Sequence, residues 1–357
     1  MPEEDEGQVN AGASGDSLLE QLPIEVLQGP IAKYLLKEDL LRLSQVSRTM
    51  FFAYCDPLAK TLLSHIVKGE EAEALQMIDA NPRLLRIRSK AIDYSGRIYQ
   101  DFMPFQAALL CHDVTLWKKI EPYFDKLPNG REEKIRQFKA LFPEGLPQQE
   151  PYDFNTSVQV ISASPDAEIK AALEKTQNDT KLRRALTTFR SDFTAVAMKE
   201  IFFNPLHLIE ALKIYDAQFD RWSWNQRDLF WRQVIGYTQR FLPAYYAQAF
   251  CTGLYYISEQ KESPRRSLNF RFGRGSYFPL SESSGLGFDA AALADHPSLA
   301  PGLAHPHARQ RSGLHAVDKL CRANTAELLE LEHRMRCNDQ SITGSDSLTS
   351  QSWCTIS

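Results

Sequence analysis

The chain lacks most of the features that would commit it to a catalytic, secreted or membrane-spanning class. Its six cysteines (Cys55, Cys111, Cys251, Cys321, Cys337 and Cys354) include no C-x-x-C pair. That argues against a zinc ribbon or a disulfide framework and for reduced thiols. No apolar run is long enough to cross a bilayer. The formal net charge is only −4, so no basic excess draws the chain toward nucleic acid. P-loop, G-x-S-x-G and H-E-x-x-H patterns are missing. The acidic start, MPEEDEGQVN, is not a secretory signal. What remains is 357 residues, 43% of them hydrophobic, enough for two or three domains with ordinary cores.

The most patterned stretch is Leu22 to Leu63. Leu22, Val26 and Leu27 share one helical face, Ile31, Tyr34 and Leu35 a second, and Leu40, Leu43, Val46 and Met50 a third. Asp39 is placed to cap the longer helix and meet its dipole. Three short helices of this kind carry more apolar surface than forty residues can bury among themselves, so the unit must pack on something else.

These residues resemble the F-box. Leu22-Pro23-Ile24-Glu25-Val26, Ile31 with Tyr34-Leu35, Asp39-Leu40, Leu43, Val46-Ser47-Arg48 and Asp56-Pro57-Leu58 follow the order and spacing of that family. Gly29-Pro30 interrupts what is usually unbroken helix, and Met50 stands where many members have Trp. The resemblance implies docking onto Skp1, the adaptor of cullin–RING ubiquitin ligases, through Leu22, Pro23, Ile31, Leu35, Leu40, Leu43 and Val46.

The rest of the chain reads as mainly α. Residues 1–20 are an acidic leader expected to be disordered, 21–64 the F-box, 65–128 a helical unit, 129–164 a charged, Pro-containing connector, 165–337 a helical domain with a small β-hairpin, and 338–357 a flexible Ser/Thr-rich tail. In 65–128, Val67, Ala74, Leu75 and Ile78 predict a helix ending before Asn81-Pro82. Asp93-Tyr94-Ser95-Gly96-Arg97 is turn chemistry, and Pro104 opens another helix. The pattern resembles a degenerate ankyrin unit with Gln106 in place of the usual His and an insert after Gly96. Ser157 to Ser162 reads as a short strand, Asn204-Pro205 as a helix start, and Leu268 to Phe272 as a strand paired with Ser276 to Phe278. With W-N-Q-R-D-L-F-W-R-Q at 224–233 added, the whole resembles F-box effectors of the Legionella type, which intracellular bacteria inject into host cells.

Several side-chain groups were weighed for chemistry. Trp222, Trp224 and Trp231 interleave with Arg221, Arg227 and Arg232, residue types that dominate binding hot spots. Trp222 and Arg227 are the expected exposed anchors for a target protein, Trp224 and Trp231 the expected core. Ser162-Ala163-Ser164 followed by Glu330-Leu331-Glu332 mimics the order of an ADP-ribosyltransferase site, the alternative reading in which the F-box only localises or stabilises an enzyme. His305-x-His307 offers two ligands on a loop, a poor metal site, and Cys111-His112 is a thiol beside an imidazole whose base, if any, sequence does not show. No cofactor, metal or catalytic residue is assigned. The chain ends Cys354-Thr355-Ile356-Ser357, a C-a-a-X pattern fitting farnesylation of Cys354 by a host farnesyltransferase, with Cys337 a candidate second acylation site. The combined expectation is a non-catalytic adaptor on host membranes that brings a Skp1–cullin ligase to an unidentified host protein.

Overall fold

The computed structural model describes residues 18–19, 21–174, 176, 179–271, 275–278 and 311–343. It is mainly α with one small two-stranded antiparallel sheet. The chain divides into two compact units, Met1–Leu58 and Ala59–Ser357.

In the first unit α1 (Ile24–Val26) widens into a π-helical segment, Leu27–Ile31, and closes with a 3₁₀ turn, Ala32–Tyr34. Pro30 lies inside the π segment. A proline has no N–H to donate and clashes with the preceding turn, and the wider spacing accommodates both. α2 (Lys37–Val46) follows, then α3 (Arg48–Val67), which carries Pro57 within it. The cap of α2 is not Asp39. Leu36 takes the extended N-cap position without a side-chain bond, and Asp39 sits in the first turn, where its carboxylate meets the dipole and accepts from Arg42 at 3.5 Å. Leu27, Leu41, Met50, Tyr54 and Leu58 are buried.

The second unit begins with α4 (Glu71–Ala80), whose end is followed by a 3₁₀ turn, Pro82–Arg86, with Asn81 as its cap. β1 (Ser89–Ile92) and β2 (Ile98–Phe102) form the hairpin, pairing Ala91 with Tyr99 and Ile92 with Ile98. Gln100 and Asp101 together oppose Lys90, a bulge that Asp101 permits by adopting φ 61°. Thus the insert after Gly96 is a strand. α5 (Pro104–Leu110) and α6 (Val114–Ile120) complete the ankyrin-like stretch. Gln106 accepts from the Met103 N–H and donates to the Gln137 carbonyl at 2.9 Å, so the residue replacing the usual His ties two helices together.

The expected connector is largely helical. α7 (Gly130–Leu141) buries Ile135 and Phe138 and leaves Arg131, Glu132, Arg136 and Lys139 exposed. α8 (Asn155–Ala163) occupies the stretch expected as a strand. Val158 and Val160 alternate in strand fashion, but Ser157 and Ile161, one helical turn apart, are the buried pair. α9 (Asp166–Leu173), α10 (Lys181–Lys199) and α11 (Leu206–Gln218) follow. Pro205, not Asn204, takes the N-cap position of α11, and Asn204 one residue earlier accepts from the Leu206 N–H at 3.1 Å. α12 (Trp224–Phe230), a π-helical segment Trp231–Ile235, α13 (Gly236–Gln239), α14 (Ala244–Thr252) and α15 (Leu254–Ser258) build the core with α10 and α11. Gly253, at φ 99°, separates α14 from α15. Among the described residues the hairpin expected at 268 to 278 shows one bridge, between Asn269 and Ser276. α16 (Arg311–Thr343) is the last described element and is longer at both ends than its apolar stripe indicates.

Candidate functional site

The first unit presents its apolar side chains outward. Val46 is 69% exposed and Leu22 37%, and Pro23 is also exposed. Ile31, Leu35, Leu40 and Leu43 are half-buried. Tyr34, 89% exposed, Leu36, Ile24 and Phe52 enlarge the same class of surface. Leu36 and Phe52 were not legible as surface residues, because both sit off the helical stripe that the spacing reveals.

In the second unit the Asp93 to Arg97 turn is a buried electrostatic knot. Asp93 Oδ1 accepts from Ser95 N–H, the Ser95 hydroxyl and Arg97 N–H, at 2.6–3.0 Å. Arg97 is 2% exposed and donates to the Ala197 and Phe241 carbonyls, with Asp93 Oδ2 3.9 Å away. Burial raises the Asp93 pKa against the pull of Arg97. The turn motif therefore anchors the hairpin to α10 and the chain after α13, a structural role. Arg97 also lines a water-sized cavity with Glu200, Asn204, His207 and Thr238. His207 Nδ1 accepts from Tyr152 N–H at 2.9 Å, leaving Nε2 to donate to Glu200 at 2.7 Å. Its ring is committed on both sides.

A second knot surrounds Arg266. Its guanidinium donates to Glu71 at 2.6 and 2.9 Å and to Asp113 at 2.7 and 2.8 Å, over the Tyr245 ring. Burial pushes the Glu71 pKa up, but hydrogen bonds and charge from Lys119 and Arg266 outweigh it and leave the carboxyl below its usual range.

The nucleophile candidate is closed off. Burial pushes the Cys111 thiol up to about 12, and its Sγ lies 3.3 Å from the Tyr99 hydroxyl. A thiol in that state is not an attacking thiolate at neutral pH. Burial lowers His112 to about 3, and neither ring nitrogen has a partner. Among the described residues no group of three His, Cys, Asp or Glu side chains could hold a metal ion.

The aromatic cluster is arranged differently from the expectation. Trp222 is not an exposed anchor: it is 5% exposed, stacks near Phe230 and donates Nε1–H to Ser162 at 2.7 Å. It lies on the core side because the chain turns at Ser223, whose hydroxyl caps α12. Trp231 is core, as expected, and Trp224, expected in the core, is 36% exposed. Arg227 is half-buried, 4.3 Å above the Phe219 ring and 5.5 Å from Trp224. Of the transferase mimic, Ser164 donates to the Val160 carbonyl, Glu332 accepts from Arg336, and Glu330 points to solvent. Cys337 is half-exposed with its Sγ 3.7 Å from the His333 ring. Arg274, His305, His307 and Cys354 lie outside the described residues.

Comparison with known proteins gives two similarities. A family model described as the CBUA0006 C-terminal domain matches residues 207–335, from the start of α11 to the last buried turn of α16. The chain is also similar to an uncharacterized protein, CBUA0006, of Coxiella burnetii, at 24% identity over 290 residues, covering 78% of this chain and 76% of that protein. No solved structure matches.

Proposed function

We propose that the protein is an F-box substrate adaptor: residues 21–64 dock on host Skp1, the second unit holds a host target, and ubiquitin transfer belongs to the recruited ligase. The observation that carries the reading is the exposed apolar surface of the first unit, at the positions where the F-box pattern falls. Leu22, Pro23 and Val46 support a docking role because they bury little within the chain. A similar protein in Coxiella burnetii is in keeping with a bacterial effector. The target-binding role assigned to Trp222 and Arg227 moves to the exposed Trp224 ring and the Arg227 stacked on it, since a buried indole offers a partner nothing. No described helix is long and apolar enough to cross a membrane, so membrane placement would rest on farnesyl at Cys354, helped by acylation of Cys337.

Pull-down of Skp1 by the full chain tests the reading. A buried leucine contributes roughly 1.5–3 kcal/mol, so Leu22→Ala with Pro23→Ala is expected to weaken capture on the order of a hundredfold. Because both side chains are exposed, the double variant keeps its fold, and capture at wild-type strength would sink the assignment. Cys354→Ser, fractionated beside wild type in host cells, is expected to lose membrane residence. An unchanged membrane fraction would mean that the lipid plays no part.

A further inference from the structure

A cavity of about 210 Å³ opens between α15 and the first half of α16. Leu254, Ile257, Ala316, Leu320 and Ala323 form its walls. The charged side chains lining it are two lysines, Lys261 and Lys319, with the Ser258 hydroxyl beside them. Among the described residues no acidic side chain is part of the lining. Glu259, just outside, accepts from Lys319 at 3.1 Å and from Ser258 at 3.1 Å, so two cations face one carboxylate and the rim carries a net positive charge. Lys261 is held at φ 59°, a conformation a lysine adopts only when its surroundings impose it. The cavity is open to solvent on one side, so an apolar occupant would take its walls out of water.

Apolar walls with two lysines in the lining match one ligand chemistry: a linear alkyl chain with a single anionic head. At about 30 Å³ per methylene, close to the volume of a water molecule, the cavity takes roughly seven carbons. It is smaller than the pockets that hold drug-sized ligands. We propose that this cavity is a binding site for a free medium-chain fatty acid of about eight carbons, with the carboxylate between Lys261 and Lys319 and the chain against Ile257 and Leu320. The site is independent of the docking surface in the first unit.

Isothermal titration of sodium octanoate into the full chain tests it. Saturable one-site binding is expected, with 1-octanol, which has the chain without the charge, and butyrate, which has the charge without the chain, each at least tenfold weaker. The double variant Lys261→Gln with Lys319→Gln is expected to bind octanoate no better than wild type binds octanol. Ala323→Phe, at an exposed helix position on the cavity mouth, is expected to abolish binding while its thermal unfolding stays that of wild type. Equal affinity for octanoate and octanol, no saturable heat, or unimpaired binding by Ala323→Phe overturns the proposal. Tighter binding of farnesol than octanoate would replace it with an isoprenoid occupant. A self-association that Ala323→Phe disperses would replace it with a second copy of the chain.

Discussion

His112 is the residue with the most to lose on protonation. Its ring packs against Phe202 at 4.5 Å, Phe203 and Tyr246, and burial drops its pKa from 6.5 to about 3. The unfolded chain therefore binds a proton in the interval that the folded chain does not. The contribution is complete above pH 6.5 and is lost as pH falls toward 3, at about 1.4 kcal/mol per pH unit. Urea unfolding at pH 6.5 and pH 5 is expected to show wild type losing roughly 2 kcal/mol more than His112→Asn. Asparagine is the useful replacement because it tolerates the φ of 53°. Parallel pH slopes for the two proteins would show that His112 titrates normally. The same burial pushes Cys251 and Cys321 up to about 12, so these thiols act as small apolar groups.

At the scale of elements, the start of α7 depends on a missing side chain. A Cβ on Gly130 would stand 1.7 Å from the Phe124 carbonyl oxygen, which belongs to the 3₁₀ turn Glu121–Lys126. Gly130→Ala must push these two elements apart, and a loss of about 1–3 kcal/mol is expected in thermal unfolding. Gly29 is the contrast. Nothing lies within 4 Å of its Cβ position, and alanine there removes the excess freedom of glycine in a helical segment. Gly29→Ala is expected to be neutral or to stabilise by about 0.5–1 kcal/mol. If both substitutions cost the same, the close approach of α7 to the turn is not what sets the effect.

For the second unit as a whole, Arg266 joins segments that are distant in the chain. It bonds to Glu71 on α4 and to Asp113, which also caps α6 by accepting from Leu116 N–H. Gln248 of α14 donates to the Gly69 carbonyl beside them and accepts from Arg266. Arg266→Ala leaves the Asp113 carboxylate buried and unpaired, and is expected to cost about 3–5 kcal/mol in urea unfolding at pH 7. The Glu71 part of that cost has a defined pH dependence. A carboxyl held below its ordinary 4.5 stabilises fully above that value and progressively less below it. The gap between wild type and Arg266→Ala should therefore narrow as pH falls below 4.5. A gap that widens with acid would mean that the pair is not what Arg266 contributes.

The sequence by itself determined the mainly α character, the helix start at Asn204-Pro205, the Pro104 start and the turn at Asp93 to Arg97, while the expected break at Gly29-Pro30 is a π-helical widening that keeps the helix continuous. Each follows from a local property: the period of the apolar residues, a side-chain oxygen within reach of a free amide, or a proline with no N–H to offer. Tertiary packing decided the rest. Asn155 to Ala163 alternates like a strand yet coils, because Ile161 and Ser157 are drawn to one buried face and local preference yields to burial. α7 was hidden by its charges, since only Ile135 and Phe138 of its face are buried hydrophobics. Trp222 and Trp224 are two residues apart and chemically the same, and only the turn between them sends one indole inward and leaves the other at the surface. Apolar spacing says which side chains share a face, but which face meets another element depends on contacts from residues far along the chain.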